Sequence, residues 1–195
     1  MIECKQDRKV KRIDAKVVAL SGILTGMSIM WIAIMPVYID LGMWSFTLFS
    51  HIFIFIALLI DPVTAILVTV GTVLGFFFKG ASVPVLMRAG SHIIFVLYAA
   101  FFLEYVKVDR LFKLIIFVLS TAIVHALFEA LAVILAISLG VYATVPNATA
   151  IWGVTFGATI AHSIIDTLAA LAVFSAIRIP LKMKTKVFLL RKKSL

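Results

Sequence analysis

Apolar runs of roughly twenty residues, repeated along almost the whole chain, leave few folds open to it. A helix that crosses a bilayer needs about 20 mostly apolar residues. Six segments read as candidates: 15–38, 45–60, 62–79, 84–105, 111–139 and 150–177. The second and third are short and are divided by Asp61-Pro62. Asp61 is a good N-cap, and Pro62 falls in the first turn, where a helix tolerates proline. Lys79-Gly80 ends the third helix, Pro84 opens the fourth, and the clearest loop runs from Gly140 to Ala150 through Pro146-Asn147. Of the 195 residues, 64% are hydrophobic and 14% are charged, against about half and a quarter in a soluble domain. Mean hydropathy is +1.19. A soluble fold has no way to hide so much apolar surface. The expected fold is all-α, a polytopic membrane protein of six transmembrane helices. It divides into a basic N-terminal tail (1–14), one membrane domain (15–178) and a basic C-terminal tail (179–195).

Charge sets the orientation. Lys5, Arg8, Lys9, Lys11, Arg12 and Lys16 precede or open the first helix. Lys107, Arg110 and Lys113 lie between the fourth and fifth. Arg178, Lys182, Lys184, Lys186, Arg191, Lys192 and Lys193 follow the sixth. With six crossings all three groups share one face, which then holds sixteen of the eighteen Lys and Arg. The positive-inside rule makes that face, and both termini, cytoplasmic. The net charge of +9 therefore suits anionic lipid headgroups rather than nucleic acid. Loops 39–44, 79–83 and 140–149 fall outside, and Trp31, Trp44 and Trp152 lie near that face. They read either as an interfacial aromatic belt or, for Trp44 and Trp152, as a stacking surface for a flat ligand. Cys4, the single cysteine, forms neither an internal disulfide nor a metal cluster. The basic N-terminal run precedes a long apolar segment with no cleavage pattern, so the first helix is expected to remain.

The remaining information lies in polar residues placed where lipid makes them costly. Arg88 sits in the first turns of the fourth helix, and His92 follows it at i+4 on the same face. Arg88 either snorkels to the outer surface or faces the bundle. In the second case the two groups read as an anion receptor rather than a counter-ion pair, because a guanidinium fork matches a carboxylate. His125 and Glu129 in the fifth helix, and His162 and Asp166 in the sixth, repeat the i, i+4 spacing near mid-helix. These pairs are open to three readings: self-satisfied structural pairs, the inner wall of a ligand pocket, or two His and two carboxylates converging on a divalent metal. His51 follows Ser50 in the second helix; the likeness of Ser50-His51-Ile52-Phe53 to Ser91-His92-Ile93-Ile94-Phe95 does not establish a repeat. Small residues at Ala15, Ala19, Gly22 and Gly26, and again at Gly71 and Gly75, mark close helix contacts, within the chain or with another membrane subunit. No G-x-x-x-x-G-K-[ST], H-E-x-x-H or G-x-S-x-G motif is present. Uphill transport would take its energy from an ion gradient or from partners.

The chain resembles the substrate-binding S components of energy-coupling factor (ECF) vitamin transporters along nearly its whole length. The residues that carry the resemblance are Ala15-x-x-x-Ala19, the segment Trp44-Ser45-Phe46-Thr47-Leu48-Phe49-Ser50-His51, and Arg88-Ala89-Gly90-Ser91-His92. Within that family it looks most like the niacin-specific type, with the pantothenate type next. The resemblance implies a binding subunit in a prokaryotic cell membrane that captures its vitamin from outside near the ends of helices 4 to 6. The subunit then joins a transmembrane coupling subunit and two cytoplasmic ATPases and topples to release the vitamin inward. Ala15 and Ala19 would touch the coupling subunit, although Lys16 between them departs from the pattern. Arg88, His92, Trp44, His125, Glu129, Trp152, His162 and Asp166 would line the site; Ala15, Ala19, Gly22 and Gly26 would dock the partner. No enzymatic activity, cofactor or metal is expected on this reading. The rival readings are an intramembrane metal-dependent enzyme built on His125, Glu129, His162 and Asp166, and a stand-alone ion-coupled carrier.

Overall fold

The computed structural model describes residues 15–34, 38–40, 45–47, 49–142, 147, 149–179, 185, 187 and 190. Six α-helices occupy most of these: α1 (Ala15–Ile34), α2 (Ile52–Ile60), α3 (Pro62–Phe78), α4 (Val83–Tyr105), α5 (Leu111–Ser138) and α6 (Gly157–Ile177). A π-helical segment, Ala150–Phe156, leads directly into α6. Four of the helices are long and apolar enough to cross a membrane: Val17–Ile34 within α1, α4, α5, and Ala150–Ile177. α3 has 17 residues and α2 only nine, about 13–14 Å of helix at 1.5 Å per residue. The protein is a multi-pass membrane protein.

The boundaries of α3, α4 and α5, and of the π-helical segment taken together with α6, agree with the apolar runs to within a residue or two. Asp61 caps α3 as expected: its Oδ2 accepts from the backbone N–H groups of Val63 (2.9 Å) and Thr64 (3.2 Å), with Pro62 in the first turn. The first two predicted helices need correction. α1 is described to Ile34 and Tyr38 already belongs to a strand, so the first helix does not reach 38, and the segment expected to start a helix at 45 instead forms a strand. β1 (Tyr38–Asp40) and β2 (Ser45–Thr47) pair antiparallel, with Tyr38 opposite Thr47, Ile39 opposite Phe46 and Asp40 opposite Ser45. The chain then turns at Phe49, whose φ is +63°, and α2 begins at Ile52.

α1 and α3 run side by side and parallel. Ser21 Oγ donates to Thr64 Oγ1 (3.2 Å), Ser28 and Thr72 share a 2.6 Å hydrogen bond, and Lys79 Nζ donates to the Ile32 carbonyl (2.8 Å). The partners rise together along both helices. Lys79, one of the two cations left outside the basic clusters, thereby caps the end of α1. Glycines make the approach possible: a Cβ on Gly71 would run into Thr25, and one on Gly75 would lie 3.1 Å from the Ile29 backbone. Because α1 and α3 are parallel, the chain from 35 to 61 returns to the opposite end of the bundle. The described elements on that path are β1, β2 and the short α2.

That arrangement places the start of α2 inside the bundle. Ile54–Leu59 are all buried and pack with Phe95, Phe117, Ala170 and Phe174. Irregular backbone at this depth is tolerated only where its polar groups find partners in the protein. Asp166 supplies them: Oδ1 accepts from the Phe49 N–H (3.0 Å) and Oδ2 from the His51 N–H (3.1 Å). A carboxylate at this end also opposes the positive end of the α2 dipole.

Candidate functional site

α4, α5 and α6 bring their polar residues to one place. Arg88 is 5% exposed and Glu129 is 6% exposed. Both Nε (2.7 Å) and Nη2 (2.6 Å) of Arg88 reach Glu129 Oε1. The other carboxylate oxygen accepts from Thr159 Oγ1 at 2.5 Å. Three helices therefore close on one ion pair. Arg88 is in this respect half of a counter-ion pair, contrary to the reading drawn from α4 alone. The spacing along one helix carries no information about a partner 41 residues further on. Tyr142, just past the end of α5, feels the charges of both Arg88 and Glu129; burial raises its phenol above the ordinary value.

All four histidines of the chain meet beside this pair. The His51 ring lies 4.4 Å from that of His92, 4.8 Å from that of His125 and 4.8 Å from that of His162, centroid to centroid. His51 Nε2 faces His92 Nε2 at 3.4 Å. His51 Nδ1 meets Asp166 Oδ2 at 3.1 Å and His162 Nε2 at 2.8 Å. The two i, i+4 pairs seen in the sequence are present but secondary: His162 Nε2 is 3.3 Å from Asp166 Oδ2, and His125 Nε2 is 3.9 Å from Glu129 Oε2. Each carboxylate has closer partners on other elements.

A cavity of about 30 Å³ opens among Ser50, His51, Arg88, His92, Glu129, Thr159 and His162, walled on its apolar side by Phe76, Val85 and Ala89. Of the expected site residues, Arg88, His92, Glu129 and His162 line it. His125 and Asp166 stand behind it, against His51. Trp152 does not line it: the ring is 45% exposed and packs edge-on against Phe156. Trp44 lies outside the described residues. Sequence reasoning assigned no role to His51, Ser50 or Thr159. The signal for His51 was its place in the Trp44–His51 segment, next to a serine in an apolar run.

The small residues of α1 divide from those of α3. Gly71 and Gly75 face α1, whereas Ala15, Ala19, Gly22 and Gly26 are exposed, and a Cβ on either of the last two would meet nothing within 4 Å.

Comparison with known proteins adds one relative. Over 137 residues the chain is 29% identical to the niacin transporter NiaX of Lactococcus lactis subsp. cremoris, an alignment covering 69% of this chain and 62% of that protein. The chain is similar to a niacin transporter. The niacin type is the one the sequence most resembles, and the apolar helices agree with transport across the cell membrane. The matched region spans about 62% of the relative's length. No family model matches the chain, and no solved structure matches it.

Proposed function

We propose that the chain is the substrate-binding S component of an ECF-type transporter with niacin as its cargo, pantothenate being the second choice. The observation that carries this reading is the buried Arg88–Glu129–Thr159 unit beside a cavity between α4, α5 and α6, in a chain similar to a niacin transporter. A buried guanidinium is the group best matched to the carboxylate of nicotinate. Glu129 Oε1 engages Nε and Nη2 of Arg88. Glu129 offsets the burial of the cation, and a ligand carboxylate shares that cation with it. A cavity of about 30 Å³ has room for about one or two water molecules, so a pyridine ring enters only when the surrounding elements part. Capture and release are then conformational steps. The exposed face of Ala15, Ala19, Gly22 and Gly26 would meet the coupling subunit, and two ATPases would supply the energy.

The test is uptake of labelled nicotinate into proteoliposomes. The chain alone is expected to give binding without accumulation; the chain with its coupling subunit and ATPases is expected to accumulate nicotinate when ATP is inside the compartment that faces the ATPases. Accumulation by the chain alone under an ion gradient would favour the stand-alone carrier. Arg88→Ala is expected to weaken nicotinate binding by about 2–5 kcal/mol, the range for removing one partner of a buried charge pair.

A further inference from the structure

We propose that His51, His92 and His125 form a binding site for one late first-row divalent ion, zinc or a neighbour of zinc. The inference stands apart from the identity of the vitamin.

The geometry points to an ion in three ways. First, one ring nitrogen from each of the three histidines lies within 4.8 Å of the others, and all three residues are buried. Two imidazole nitrogens on a tetrahedral ion with bonds of about 2.0–2.1 Å lie about 3.3–3.4 Å apart. His51 Nε2 and His92 Nε2 are 3.4 Å apart. A His125 ring nitrogen lies within 4.8 Å of both, and binding would require that ring to shift toward them. Second, among the described residues neither ring nitrogen of His125 and not Nδ1 of His92 has a hydrogen-bond partner, although His125 is 1% exposed and His92 4%. Buried polar groups are normally satisfied, and coordination would satisfy one of the two His125 nitrogens. Third, His51 has the support expected of a metal ligand. Its Nδ1 faces the Asp166 carboxylate and His162 Nε2, so an Nδ1–H donated to them leaves the Nε2 lone pair directed at His92. Such a carboxylate behind a ligating histidine fixes its tautomer and raises its basicity.

Charge and space agree. Arg88 and Glu129 offset one another, Asp166 adds a negative charge, and the histidines are neutral ligands in the form that binds a metal. That balance leaves the histidine cluster able to hold a cation. Imidazole donors suit zinc, copper, cobalt and nickel rather than magnesium or calcium. His51 and His92 also line the cavity of about 30 Å³, which has room for a single fourth ligand atom, as in sites with three protein ligands and one open position. The ion would tie the buried start of α2 to α4 and α5.

The experiment uses the full chain in detergent, purified without chelator or metal-affinity resin. Metal content is read by plasma mass spectrometry; chelator-stripped protein is then titrated with zinc and with cobalt, the latter followed by its visible absorption. One bound ion per chain is expected, with four-coordinate cobalt bands, tighter binding as pH rises because protons and metal compete for the imidazoles, and a zinc-dependent rise in unfolding temperature. Asp166→Asn is expected to weaken zinc by roughly 10–100-fold, and His125→Phe, which keeps an aromatic ring against Phe95, to abolish the cobalt bands. The proposal is overturned if stripped parent protein takes up neither ion and shows no zinc-dependent thermal shift, or if His125→Phe and His92→Ala bind zinc as the parent does.

Discussion

Thr159 is the smallest side chain with a large task. Its hydroxyl donates to Glu129 Oε2, while Arg88 Nε donates to Oε1. A hydrogen bond to a charged group is worth about 1.5–3 kcal/mol. Thr159→Val is therefore expected to lower unfolding stability in detergent by that amount, and Thr159→Ser to restore most of it. Glu129→Gln probes the sharing of Arg88. With the resident negative charge gone, nicotinate is expected to gain affinity relative to nicotinamide, which carries no charge; a fall in that ratio would mean Glu129 mainly positions the guanidinium. These residues differ in how legible they were. Arg88, His92, Glu129 and Asp166 stand out in the sequence because each is expensive in an apolar helix. Their true partners did not, since an i, i+4 pattern reports neighbours on one helix only. Thr159 was silent because a threonine is common in a membrane helix and needs no special reason.

Among the elements, the α1–α3 contact and the start of α2 separate what patterning can and cannot reveal. α4, α5 and α6 were legible because each is a long apolar run closed by glycine, proline or charge. The run 45–60 looks no different, yet β2 and the turn at Phe49 take up its first part. The cause is Asp166, which holds the backbone N–H groups of Phe49 and His51 from more than a hundred residues away. The glycine pairs were equally alike on paper. Gly75→Val is expected to cost about 1–3 kcal/mol of stability through overpacking against the Ile29 backbone. Gly22→Ala and Gly26→Ala, facing open space, are expected to stay within about 0.5 kcal/mol of the parent, as read by thermal unfolding. Leucine at either of those two positions is expected to leave nicotinate binding intact and to reduce ATP-driven uptake in the reconstituted complex.

For the whole molecule, the three basic clusters predict that both termini are on the cytoplasmic side, and the parallel course of α1 and α3 is compatible with that orientation. Cys4 is the only cysteine and serves as a native reporter. In intact cells an impermeant maleimide is expected to leave Cys4 unlabelled until the cells are opened, and to label Asn147→Cys in a Cys4→Ser background from outside. The opposite pattern would invert the molecule and place the Arg88 cavity nearer the inner face. What the fold assembles is a buried Arg88–Glu129 pair beside a cavity; on the proposed function a ligand carboxylate shares this cation from the outer side. Tryptophan fluorescence during titration with nicotinate, alongside equilibrium dialysis, tests this most directly. The expected result is a saturable one-site change with nicotinate that Arg88→Ala weakens strongly. Arg88→Ala protein that binds nicotinate as tightly as the parent, or parent protein that retains none in dialysis, would contradict it.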